Sequence, residues 1–252
     1  MNRWALITGA TAGIGESFSR LLASQGYNLI INARDEARLN ERASSLRAKF
    51  NIEVVVLAAD LSTDSERVES YIKGNQIDVL INNAGFGIKK SFLDSGIDQE
   101  QLVLDVLVRA PMRLTHAVLP QMKERGSGII LNVSSVASFI AGGHYSAAKS
   151  FVTVLSESLN TELQGTGVSV TALCPGFTHT EFHQRAGMKM GRLPKFMWLD
   201  VDPMVATGWS DAQKGRAVSV PGWQYKVLRF LILTSPRGFI RRVGITLRAK
   251  QR

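Results

Sequence analysis

Thr8-Gly9-Ala10-Thr11-Ala12-Gly13-Ile14-Gly15 decides the fold. It follows the apolar run Trp4-Ala5-Leu6-Ile7 and opens an amphipathic stretch, so it reads as strand, tight turn and helix. Its glycines are spaced G-x-x-x-G-x-G. Residues without Cβ let backbone N–H groups approach a ligand at the positive end of a helix, a setting that suits a phosphate. An ordinary glycine-rich turn is the competing reading of this motif taken alone.

Outward from the turn, short apolar runs alternate with amphipathic ones. Strands are expected near 4–8, 27–33, 52–58, 78–82, 128–133, 168–174 and 217–220, and helices near 13–25, 35–49, 63–73, 98–124, 144–164 and 202–213. Val54-Val55-Val56-Leu57 and Val79-Leu80-Ile81 lack polar alternation, as strands covered on both faces do. The pattern predicts an α/β protein with a doubly wound, seven-stranded parallel sheet of the Rossmann type. No linker or repeat is visible. Residues 1–221 are expected to form one catalytic domain with an apolar lid at about 177–200, and residues 222–252 a basic amphipathic extension.

Some 130 residues past the turn stands Tyr145-Ser146-Ala147-Ala148-Lys149. A Tyr and a Lys four residues apart share one helix face, where an ammonium favours the phenolate and draws the phenol below about 10. A phenol so tuned can exchange a proton with a carbonyl or an alcohol. At the end of the second strand Ile31-Asn32-Ala33-Arg34 carries no acid for a ribose 2′-hydroxyl. Arg34 suits a 2′-phosphate instead, which favours NADP(H) over NAD(H).

With these motifs the chain resembles the short-chain dehydrogenase/reductase family. It also carries Asp60-Leu61, Asn82-Asn83-Ala84-Gly85, Asn132-Val133-Ser134-Ser135 and Pro175-Gly176-Phe177-Thr178-His179-Thr180 in the family's order. The resemblance spans roughly residues 3–220. It implies that Tyr145 is the general acid, that Lys149 tunes it and holds the nicotinamide ribose, and that Ser135 hydrogen-bonds the substrate oxygen. It further implies a dinucleotide held by Gly9, Thr11, Gly13, Ile14 and Gly15, by Asp60 and Leu61 at the adenine, and by Asn83 and Thr180, the last at the carboxamide. Members commonly form homodimers or homotetramers. Two features depart from the family pattern. Leu107 occupies the place of a helix Asn that helps relay protons to the Lys, and Ser135 precedes Tyr145 by ten residues rather than about thirteen. The shorter loop leaves open whether the Ser135 hydroxyl reaches the substrate oxygen; Ser138 is the less favoured substitute. The activity implied is a carbonyl reductase or alcohol dehydrogenase; the alternative is a dinucleotide-binding pseudoenzyme acting as sensor or scaffold.

Phe177, Phe182, Met188, Met190, Phe196, Met197, Trp198 and Leu199 suggest a hydrophobic ketone or 3-oxoacyl substrate, or else packing against the domain or a second subunit. The four histidines, His116, His144, His179 and His183, have no thiol or carboxylate at metal-ligand spacing, so no metal is expected; His144 abuts Tyr145. Cys174 alone excludes a disulfide within the chain and reads as buried and inert, in keeping with a cytoplasmic setting. No signal peptide is evident ahead of the first strand.

The net charge of +9 is local. Ten basic residues and no acid follow Asp211, while residues 1–211 sum to −1. That tail suggests contact with an anionic membrane surface, capture of an acidic carrier or CoA phosphates, or a solvated terminal helix. No nucleic-acid recognition motif is present.

Overall fold

In the computed structural model, residues 3–88, 90–181 and 194–236, with Gly238 and Ile240, are described. Seven parallel strands lie in the order β3-β2-β1-β4-β5-β6-β7. They are β1 (Trp4–Thr8), β2 (Asn28–Ala33), β3 (Val54–Ala58), β4 (Val79–Asn82), β5 (Gly128–Val133), β6 (Val168–Leu173) and β7 (Val218–Ser219). Between them run α1 (Gly13–Ser24), α2 (Glu36–Phe50), α3 (Ser65–Gly74), α4 (Ile97–Leu104), α5 (Ala110–Arg125), α6 (His144–Glu162) and α7 (Val201–Gln213). The last described helix is α8 (Trp223–Thr234). The doubly wound sheet expected from the sequence is present, with each element within about two residues of its expected bounds.

Successive strand residues point to opposite faces, and the core divides accordingly. Ala5, Ile7, Leu29, Ile31 and Leu131 pack beneath α1, α2 and α7. Leu6, Ile30, Leu80 and Ile130 join Val68, Ile72, Leu114 and Val118 of α3 and α5 on the other face. Strands covered on both sides have no use for polar alternation, which explains the unbroken apolar runs. Thr8 at the end of β1 and Asn82 at the end of β4 flank the point where strand order reverses. In such sheets the crevice beyond the carboxyl ends is the binding site.

The expected helix at 98–124 is interrupted. Asp105–Arg109 forms a π-turn between α4 and α5, and Pro111 follows, its missing N–H withdrawing the donor an unbroken helix would give to the Leu107 carbonyl. Leu107 therefore lies in a π-turn rather than in the middle of one regular helix. Leu107 is buried among Val103, Ala148, Phe86, Ile88 and Tyr145.

Candidate active site

The glycine turn is built around backbone contacts. Gly9 and Gly13 have φ of +65° and +55°, a region that L side chains rarely adopt. A Cβ on Gly9 would stand 2.8 Å from Asn83 Nδ2, and one on Gly15 would run into the Gly9 carbonyl. Asn83 braces the turn: its Nδ2 donates to the carbonyls of Thr8 (2.9 Å) and Gly9 (3.1 Å). The Thr8 hydroxyl in turn accepts from the backbone N–H groups of Asn83 and Ala84. Ala12, at the N-cap of α1, offers no side-chain cap, so the helix presents its first N–H groups bare. That cradle fits a phosphate-bearing cofactor. Thr11 is buried in the turn, Ile14 packs against the core, and Thr180 lies against Gly13.

Arg34 and Asp60 face one another across the ends of β2 and β3, 3.7 Å apart, with the Arg34 side chain 77% exposed. Burial pushes the Asp60 carboxyl up, but hydrogen bonds from Ser62 and the charge of Arg34 outweigh it and leave the carboxyl below its ordinary value. Asp35 is spent on the N-cap of α2, accepting from Arg38 N–H. Leu61 is buried beside Asp60.

Tyr145 and Lys149 lie on one face of α6, with Lys149 Nζ 5.8 Å from the Tyr145 ring centroid. Ser135 reaches Tyr145 in spite of the short connection: its hydroxyl hydrogen-bonds the Tyr145 side chain. The short connection thus leaves Ser135 beside Tyr145. A 3-10 turn at Val136–Phe139 takes up the chain, the Ser135 oxygen accepts from Ala137 N–H, and Gly143 at φ +93° turns directly into α6. The Ser138 Oγ lies 4.0 Å from Cys174 Sγ.

The expected electrostatics are corrected. Burial pushes the Tyr145 phenol up to about 12, with the Ser135 hydrogen bond pulling the other way. Lys149 does not dominate, since its Nζ donates to the Val133 carbonyl at 2.7 Å and burial lowers its own value to about 8. At neutral pH the pair is a protonated phenol beside a mostly protonated amine, a state suited to giving a proton to a carbonyl oxygen.

The sequence reading missed what holds this group in place. Ser134 Oγ donates to the Lys149 carbonyl and meets Thr153 Oγ1 at 2.7 Å. Asn82 Nδ2 donates to Asn132 Oδ1, and Asn132 Nδ2 to Ser156 Oγ, joining β4, β5 and α6 through a buried network. His144, which the sequence places only beside Tyr145, pairs through Nδ1 with Glu100, and Ser95 Oγ donates to the same carboxylate. Glu100 lies on α4, 44 positions from His144, and only the fold brings the two together. His179 stacks on Trp198 instead, their centroids 4.6 Å apart. Cys174 is buried, and burial raises its thiol, as befits an inert residue.

The described ends of the lid pack inward. Phe177, Met197 and Leu199 join Val136, Phe139 and the buried Tyr225, whose hydroxyl accepts from Phe177 N–H and donates to the Met197 carbonyl. Phe196 stays exposed. Phe182, His183, Met188 and Met190 lie outside the described residues. Among the described residues no group of His, Cys, Asp and Glu is placed to hold a metal.

A doubly wound sheet, a bare glycine turn at its switch point and a Ser-Tyr-Lys group beside it define the class of dinucleotide-dependent oxidoreductases. Comparison with known proteins narrows that class. Residues 3–190 match the model of the short chain dehydrogenase family, and the chain belongs to that family. It is 32% identical over 190 residues to the very-long-chain 3-oxoacyl-CoA reductase of Rattus norvegicus, covering 72% of this chain and 61% of that one. The chain thus spans about three fifths of the length of that relative. Among solved structures it is similar to a short-chain dehydrogenase from Sphingobium yanoikuyae in complex with NADPH, with a TM-score of 0.84, 31% identity and coverage of 93% and 96% of the two chains. It is also similar to the bulky-bulky ketone specific alcohol dehydrogenase from Comamonas testosteroni, with a TM-score of 0.79, 30% identity and coverage of 93% and 95%.

Proposed function

We propose that this protein is an NADPH-dependent carbonyl reductase acting on a hydrophobic ketone or 3-oxoacyl compound. The observation that carries the reading is the meeting of Ser135, Tyr145 and Lys149 at the carboxyl edge of the sheet, next to the glycine turn. The names of the Rattus, Sphingobium and Comamonas relatives support the substrate class and the cofactor.

The backbone of Gly9 to Gly15, with Thr11 and Ile14, would hold the pyrophosphate. Asp60 and Leu61 would flank the adenine, Arg34 would take a 2′-phosphate, and Asn83 keeps the turn in shape. Thr180 would orient the carboxamide. When bound, the reduced nicotinamide supplies hydride. Tyr145 gives its proton to the substrate oxygen, and Ser135 donates a hydrogen bond to that oxygen as charge builds on it. Lys149 would hold the nicotinamide ribose and return a proton to Tyr145. Contact between Ser135 and Tyr145, and a π-turn formed without Asn, favour an active enzyme over a pseudoenzyme.

Residues 1–221 act as the catalytic body. Met112, Phe151 and Val154, exposed on α5 and α6, suit assembly into a homodimer or homotetramer. No described helix is long and apolar enough to cross a membrane, so lipid contact would be peripheral, through residues 222–252.

NADPH oxidation against bulky ketones, diketones and 3-oxoacyl thioesters tests the reading. Turnover with at least one apolar class is expected. Turnover only with small hydrophilic aldehydes would contradict the substrate assignment, and none with any carbonyl by folded protein would favour the pseudoenzyme.

A further inference from the structure

α8 turns an apolar stripe toward solvent. Its inward side is fixed by buried Tyr225 and by Arg229, whose guanidinium lies 5.3 Å from the centroid of the Phe139 ring. The opposite side carries Trp223, Val227, Phe230 and Leu231 at positions i, i+4, i+7 and i+8, exposed by 72, 50, 66 and 54%. A terminal helix that merely completes a domain keeps its apolar stripe inward and its polar residues out. Here the outward stripe continues into Phe196, whose carbonyl accepts from Gln224 Nε2 at 3.0 Å and whose ring is exposed. A contiguous exposed patch of large apolar side chains marks an interaction surface.

The charge around the patch selects the occupant. Lys226 flanks the stripe on α8, Lys195 adjoins Phe196, and both are exposed. Asp211, the last acid in the chain, is already engaged by Arg216 and Ser219. The sequence past α8 adds further basic residues and no carboxylate. A two-fold contact between copies of α8 would set these cations against one another. An apolar helix face bordered by lysines matches an anionic lipid surface, where the rings enter the headgroup boundary and the cations meet phosphate.

We propose that the outward face of α8 docks the protein on anionic membranes. The Tyr225 hydroxyl, on the inward side of the same helix, ties α8 to Phe177 and Met197.

Co-sedimentation of the full chain with phosphatidylcholine vesicles, with and without about 30% phosphatidylglycerol, tests this. The intact chain is expected to pellet with the anionic vesicles and to partition about tenfold more weakly into neutral ones. The double variant Trp223→Ser/Phe230→Ser should lose about tenfold in partitioning with its thermal midpoint unchanged. Lys226→Glu leaves the apolar stripe whole and should weaken only anionic binding, which keeps the test readable should the double variant fail to fold. No partitioning of the intact chain, or equal binding to both vesicle types, overturns the proposal. So does a double variant that ignores vesicles as the wild type does but sediments as a smaller oligomer, which would make the face an interface between copies.

Discussion

The glycine turn and the Ser135–Tyr145 connection meet at the same edge of the sheet but are made of different materials. The turn is backbone: its shape comes from positive φ at Gly9 and Gly13 and from carbonyls held by Asn83. The connection is side chain: Ser135, Ser134, Glu100 and His144 each fix one atom of the group around Tyr145. A backbone site leaves no room for an added methyl. A side-chain site can absorb a shorter loop or a leucine as long as its anchors hold.

The largest effect on dinucleotide binding is expected at the turn. Gly15→Ala forces a Cβ into the Gly9 carbonyl and should cut dinucleotide affinity by about 100-fold or more, measured by fluorescence titration. An affinity within twofold of wild type would show that the turn yields, and would break the contrast.

At the other site charge and stability oppose one another. Burial lowers Lys149 from 10.5 to about 8, so the ammonium costs the folded state about 3 kcal/mol at neutral pH. Between about pH 8 and 10.5 the unfolded chain binds more protons than the folded one, and stability rises with pH across that window as the cost is relieved. Lys149→Met should therefore be more stable by about 1–3 kcal/mol in urea at pH 7, with the gap closing toward pH 10 while turnover is lost. A variant less stable than wild type at pH 7 would show that the hydrogen bond to Val133 outweighs the buried charge. For the same reason, carbonyl reduction should decline as pH rises through about 8, where the folded lysine loses its proton.

These two regions also differ in how much of them could be read in advance. Unbroken apolar runs and glycine spacing are local signals, so the sheet, its helices and the turn followed from the sequence. Tyr145 and Lys149 share one helix, and their spacing was enough to pair them. Glu100 and His144 sit 44 positions apart, and nothing in either neighbourhood announces the pair. The spacing of apolar residues over 98–124 reads as one helix and does not announce the π-turn that holds Leu107. The pull of Lys149 on Tyr145 was misjudged because spacing gives proximity and not burial, and burial sets both values.

A smaller effect is expected from the anchors. Glu100→Gln keeps the shape of the side chain but removes the charge that His144 and Ser95 share. Turnover should fall about tenfold with dinucleotide affinity unchanged, as suits a residue that positions Tyr145 without touching cofactor. Equal losses in both would place Glu100 in the general stability of the fold.

An effect of similar size is expected from Arg34→Ala, which should weaken NADPH binding about tenfold and leave NADH nearly unaffected, because an exposed guanidinium contributes one screened contact. An unchanged ratio of the two affinities would remove Arg34 from cofactor selection.

The most direct test is Tyr145→Phe, which deletes one oxygen and keeps the ring among Val103, Leu107 and Ala148. Turnover should fall by about 1000-fold, with NADPH affinity and thermal stability close to wild type. A variant that reduces the same carbonyl at near wild-type rate would contradict the assignment of Tyr145 as the acid.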